Sequence, residues 1–106
     1  MPAATLDRLH QVVAGRKGAD PSGSYTAKLF ARGRAKIAQK VGEEAVECAL
    51  AAVQDDRAEI VKESADLLYH LLVLWADAGI DPEEIYAELE RREGTSGLAE
   101  KAARPK

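Results

Sequence analysis

Apolar residues recur along this chain at helical spacing, and no segment alternates in the period-two manner of a strand. Five helical stretches are expected. The first runs from about Thr5, read as its N-cap, to Gly15, with Leu6, Leu9, Val12 and Val13 on one face. "GRKGADPSGS" then reads as a loop, and Ser24 caps a short helix through "YTAKLFAR" that stops near Gly33. A long helix follows from about Arg34 to Val53, carrying Gly42 in its interior at a cost of about 1 kcal/mol relative to alanine. "QDDR" turns the chain, with Asp56 as the next cap, and Gly79 ends the helix that reaches Ala78. "DPEEI" supplies a cap, a proline at the first helical position and acids in the first turn, and opens a last helix that ends by Gly94. Residues 1–94 are thus expected to form one all-α domain, and residues 95–106 a mobile tail.

Between Ile60 and Ala76 the pattern changes. Ile60, Val61, Leu67, Leu68, Leu71, Leu72, Val73, Leu74 and Trp75 place apolar side chains on nearly every side of the helix. A helix apolar all round must be covered all round, and four other helices, two of them short, hardly suffice. The expected architecture is an antiparallel helical bundle completed by homodimerisation.

Composition narrows the function classes. A chain of 106 residues with net charge -3 is one small domain, and its acidity argues against nucleic acid as a partner of the whole surface. Cys48 is the single cysteine, so no internal disulfide forms; among Ala45, Ala49 and Ala52 it reads as a small packed side chain in a reducing compartment. "MPAATLDRLH" lacks the basic and apolar regions of a signal peptide, and "LLYHLLVLWA" is too short to span a bilayer. A cytoplasmic location, with no membrane partner, is expected.

The chemistry lies in the acids. "QKVGEEAVECALA" sets Glu43, Glu44 and Glu47 on one helix within about 100° of arc, although like charges one turn apart repel. On the following helix, Glu63 and Asp66 lie within about 60° of each other. Glu44/Glu47 and Glu63/Asp66 share the same i, i+3 spacing, and the short turn between the helices makes them antiparallel neighbours. Four carboxylates then converge on one point, where they cannot all stay ionised without a cation. An all-oxygen set suits Mg²⁺, with Mn²⁺ as a substitute. Taken one at a time, these acids also read as solvated, with Lys36, Lys40 and Lys62 to neutralise them. His70, one turn past Asp66, reads as a core histidine or as the partner of Asp66. A di-iron centre would need Glu-x-x-His motifs, which are absent from the sequence.

A basic block precedes the acids. From Pro21 to Gly42 there is no acidic residue, while Lys28, Arg32, Arg34, Lys36 and Lys40 are present. Cations beside metal-binding carboxylates are what a polyphosphate carrying Mg²⁺ requires. For Arg34 alone the solvated reading is preferred.

"SYTAKLFARGRAKIAQKVGEEAVE" followed by "ESADLLYHLLVLW" resembles the phosphoribosyl-ATP pyrophosphatases of histidine biosynthesis, members of the all-α nucleoside-triphosphate pyrophosphatase (MazG-like) superfamily. The carboxylate pattern marks the superfamily, while "SYTAKLF" and "KIAQKVGEEAVE" point to this member. The resemblance implies an all-α homodimer and Mg²⁺-dependent hydrolysis of phosphoribosyl-ATP, a small-molecule nucleotide, to phosphoribosyl-AMP and pyrophosphate. It carries Glu44, Glu47, Glu63 and Asp66 over as metal ligands and Glu43 as the residue that positions or deprotonates the attacking water. Lys28, Arg32, Lys36 and Lys40 would hold the phosphates. Two rivals stand beside it: a house-cleaning pyrophosphatase for another nucleotide, and a non-enzymatic helical dimerisation module in which the acids pair with lysines.

Overall fold

The computed structural model describes residues 2–93, and these form five α-helices with no strand among them. They are α1 (Pro2–Ala14), α2 (Tyr25–Arg32), α3 (Arg34–Val53), α4 (Arg57–Ala78) and α5 (Pro82–Glu93), with a single 3-10 turn at Pro21–Gly23. The expected tail lies outside the described residues.

Local chemistry sets most of the boundaries. The Ser24 side chain accepts a hydrogen bond from the backbone N–H of Ala27, and Asp56 accepts one from that of Glu59, so each satisfies a donor that its helix leaves open. At the start of α5, Asp81 accepts from the Glu83 N–H while Glu84 reaches back to the Asp81 N–H, a reciprocal cap. Gly79 adopts the left-handed conformation at φ 72° and closes α4, a geometry that penalises any side chain. Gly33, at φ 94°, breaks the chain between α2 and α3 so that the two helices meet at an angle instead of running on. The N-terminal boundary differs from expectation. Helix α1 begins at Pro2 and not after Thr5, because proline is well tolerated at a first helical position and the alanines behind it propagate the helix.

Helices α3 and α4 form a hairpin around a short turn, Gln54–Asp56, and make the most extensive helix pair in the fold. The Cys48 Sγ lies 3.5 Å from the Ser64 Oγ across this pair, consistent with a packed thiol. Helices α1 and α2 pack on the hairpin, and α5 packs on α1. The core is Val13, Leu29, Phe30, Ile37 and Val73, wrapped by Leu9, Tyr69, Leu74 and Ala76. Val12 was expected on the inner face of α1 but is 53% exposed. One residue along a helix is a rotation of about 100°, and fully buried Val13 takes the inward position.

The all-round apolar character of α4 is only half used within one chain. Leu72 and Val73 are fully buried, yet Val61 and Leu68 are exposed. On α3, Val46, Leu50 and Val53 form an i, i+4, i+7 stripe that is likewise open to solvent.

Tyr86 clasps α5 to α1 by donating its hydroxyl to Asp7 Oδ1 at 3.0 Å. Burial, with that hydrogen bond second, pushes the Tyr86 phenol up from 10.0 to about 12. A folded value above the unfolded one means that the clasp is fully effective below pH 10 and is lost as the pH rises from there towards 12. Tyr86→Phe is expected to cost about 0.5–1.5 kcal/mol near neutrality. It should also make stability fall less steeply across that alkaline window, as read from denaturant titrations at a series of pH values.

Candidate active site

The hairpin brings acids together in its interior. One carboxylate oxygen from each of Glu44, Glu63 and Asp66 lies within 4.8 Å of the other two. Glu44 and Glu63 are buried, at 8% and 6% exposure, and Asp66 is half-buried. Two lysines border the group. Lys62 Nζ lies 3.0 Å from Glu63 Oε1 and 3.9 Å from Asp66 Oδ2, and Lys40 Nζ lies 3.8 Å from Glu44 Oε1. The second oxygens, Glu44 Oε2 and Glu63 Oε2, are buried without any hydrogen-bond donor. Leaving such an oxygen desolvated costs about 1–3 kcal/mol, more when it is charged. Two unsatisfied carboxylate oxygens beside a third carboxylate fit a hard divalent cation, whose preferred ligands are oxygens alone.

Glu47 stands at the edge of the group, more exposed than its neighbours. The neighbouring Glu63 carboxylate, then the charge of Glu44, pushes the Glu47 carboxyl above its ordinary value. Glu63 is held below its ordinary value, first by the Lys62 ammonium. A hollow of about 350 Å³ opens between Glu47 and Glu63 and also takes in Glu59 and Lys62. Of the four expected ligands, then, three form the tight cluster and the fourth adjoins it.

The expected phosphate-binding residues also meet. Lys28, Arg32, Lys36 and Lys40, together with Tyr25 and Leu29, line one hollow of about 180 Å³. Each helix contributes an i, i+4 pair, and the break at Gly33 turns the two pairs towards each other. Arg34 stays out of it and is bound to Asp77, Nε to Oδ2 at 2.6 Å. Lys40 links the two features, since its ammonium contacts Glu43 Oε1 at 3.2 Å as well as Glu44.

Glu43 lies outside the cluster. It accepts from Gln39 Nε2 at 2.9 Å, and that bond and the Lys40 contact hold its carboxyl below the ordinary value.

His70 does not pair with the Asp66 carboxylate. It is buried, with Nδ1 2.8 Å from the Asp66 backbone oxygen and Nε2 2.9 Å from the Tyr25 hydroxyl. The Thr26 and Tyr69 hydroxyls are hydrogen-bonded to each other in the same region. Sequence reasoning missed Tyr25. Its position directly behind the Ser24 cap, on the helix that carries Lys28 and Arg32, was the available signal.

A carboxylate cluster and a cationic hollow, joined by one lysine, thus lie side by side on an all-helical frame. The sequence matches the family model described as phosphoribosyl-ATP pyrophosphohydrolase over residues 6–93. It is 67% identical over 102 residues to the phosphoribosyl-ATP pyrophosphatase of Azospirillum brasilense, covering 96% of this chain and 92% of that one. The corresponding proteins of Gluconobacter oxydans and Paramagnetospirillum magneticum are each 63% identical over 101 residues. In both cases 95% of this chain is covered, with 76% and 93% of the respective relatives. The chain belongs to the phosphoribosyl-ATP pyrophosphohydrolase family.

The raised Glu47 carboxyl yields a signed prediction for chelator-treated protein. Ionising Glu47 opposes folding above its folded value, and the penalty fades as the pH falls below the ordinary carboxylate range. Glu47→Gln should therefore raise the melting temperature at neutral pH, and by less near pH 4. Identical melting curves for variant and parent at neutral pH would contradict the repulsion.

Proposed function

We propose that this chain hydrolyses phosphoribosyl-ATP to phosphoribosyl-AMP and pyrophosphate, the activity for which its relatives are named, that it serves histidine biosynthesis, and that it works with Mg²⁺ or Mn²⁺. Family membership supports the substrate and the reaction. The observation that carries the metal is the pair of buried, donor-less oxygens on Glu44 and Glu63. Lys40 and Lys62 each reach only one oxygen of these carboxylates, so lysine pairing of the kind expected in a dimerisation module leaves the cluster unsatisfied.

In this reading Glu44, Glu63 and Asp66 hold the cation, and Glu47 completes the set from the edge. When bound, the cation lowers the proton affinity of a water and offsets charge on the departing pyrophosphate. Lys28, Arg32, Lys36 and Lys40 grip the phosphate oxygens, and Lys40, next to Glu44, sets the polyphosphate against the cluster. Glu43 orients the attacking water at the α-phosphorus. Its ties to Gln39 and Lys40 fix the carboxylate and keep it ionised, which suits it to orienting more than to removing a proton.

The same reading takes the protein as a homodimer in the cytoplasm. The uncovered stripes of Val46, Leu50 and Val53 on α3 and of Val61 and Leu68 on α4 support the dimer. Among the described residues no helix is long and apolar enough to cross a membrane.

Pyrophosphate release from phosphoribosyl-ATP, measured against a panel of ordinary nucleoside triphosphates over an Mg²⁺ titration, tests the assignment. A clear preference for an ordinary triphosphate would overturn it. Asp66→Asn is expected to abolish Mg²⁺-dependent turnover while the helical spectrum is retained. Lys36→Ala should chiefly raise KM, whereas Glu43→Gln should lower kcat by about 10²-fold or more with KM nearly unchanged. For assembly, Leu68→Asp is expected to disrupt the dimer, measured by sedimentation. A parent protein that sediments as a well-folded monomer at micromolar concentration would refute the dimer.

A further inference from the structure

The proposed function absorbs the four cations of the hollow but leaves its one aromatic residue without a role. Tyr25 is 53% exposed, an unusual position for a tyrosine whose hydroxyl is tied to a buried group. Its ring meets His70 edge to face, with centroids 6.0 Å apart and planes at 84°. The hydrogen bonds define which way the protons point. The Asp66 backbone oxygen can only accept, so His70 Nδ1 carries a proton and donates to it. In the neutral imidazole, Nε2 then accepts from the Tyr25 hydroxyl. With that proton directed inward, Tyr25 presents to the hollow a fixed ring and an oxygen lone pair. Leu29, buried at the hollow's lining, adds apolar surface beside it.

A phosphate oxygen gains nothing from a hydroxyl that can only accept. A flat aromatic base gains a stacking surface, and an amino group on such a base can donate to the free lone pair. Resting on the substrate class assigned above, we propose that Tyr25 is a specificity-determining contact that seats the purine ring of the substrate, with His70 as the positioning residue that locks it. Phosphates are then held by the lysines and the arginine, and the base by Tyr25, so one hollow divides its labour between two parts of the same ligand.

The test separates base from phosphate in the full-length protein. AMP and tripolyphosphate are titrated by calorimetry into the parent and into Tyr25→Ala, Tyr25→Leu and Tyr25→Phe. Both the Ala and Leu variants should weaken AMP binding about tenfold or more, the loss expected for one stacked base, and leave tripolyphosphate affinity unchanged. Tyr25→Phe, which keeps the ring, should retain most of the AMP affinity. Parent-like AMP binding in the Ala and Leu variants overturns the proposal, and so does an equal loss of AMP and tripolyphosphate. Should the parent release no pyrophosphate from phosphoribosyl-ATP, the assigned reaction fails, while the two titrations still decide the role of Tyr25.

Discussion

Three carboxylates held within 4.8 Å of one another in the interior of a helical hairpin set the terms for the rest of this molecule. Their mutual repulsion opposes the packing of α3 against α4, and burial of Glu44 and Glu63 removes the water that would screen it. The hairpin nevertheless closes, because the opposing forces are large and local. Ile37, Leu72 and Val73 are fully buried, the turn at Gln54–Asp56 is short, and Asp56 caps α4 at once. Lys40 and Lys62 offset part of the charge from the rim. What remains is a buried negative charge that the chain's own cations offset only in part.

The cationic hollow depends on the same hairpin through one residue. Lys40 sits one turn before Glu44 on α3, so the helix that delivers a carboxylate to the cluster also delivers the last cation of the hollow. His70 makes a second link from α4, holding Tyr25 of α2 at one nitrogen and the backbone of Asp66 at the other. The carboxylate cluster and the cationic hollow are thereby kept in register by short-range contacts, with Gly33 supplying the angle between α2 and α3. A polyphosphate ester laid across such an arrangement meets positive charge along its chain and carboxylates at one end.

Much of this is legible in the amino-acid sequence. The caps at Ser24, Asp56 and Asp81 and the stop at Gly79 follow from local hydrogen bonding and backbone conformation, which neighbouring residues decide. The i, i+3 acid pairs and the i, i+4 basic pairs were equally readable, since helical periodicity fixes the face on which a side chain stands. Periodicity is less able to choose between adjacent positions. Val12 and Val13 were both placed inward, and packing against the rest of the bundle admitted only Val13.

The sequence by itself determined the helices, their order, the pairing of α3 with α4 and the residue types available for holding a cation and a polyanion. Each of these rests on interactions spanning a few residues or one short turn. Only the tertiary structure decided that Glu47 borders the cluster instead of entering it and that His70 bonds the Tyr25 hydroxyl. Those outcomes depend on how far helices rotate about their own axes when they pack and on which rotamers the shared space allows. Tyr25 and His70 are 45 residues apart in the chain. No local pattern links them, and the contact exists because α2 is folded back across α4.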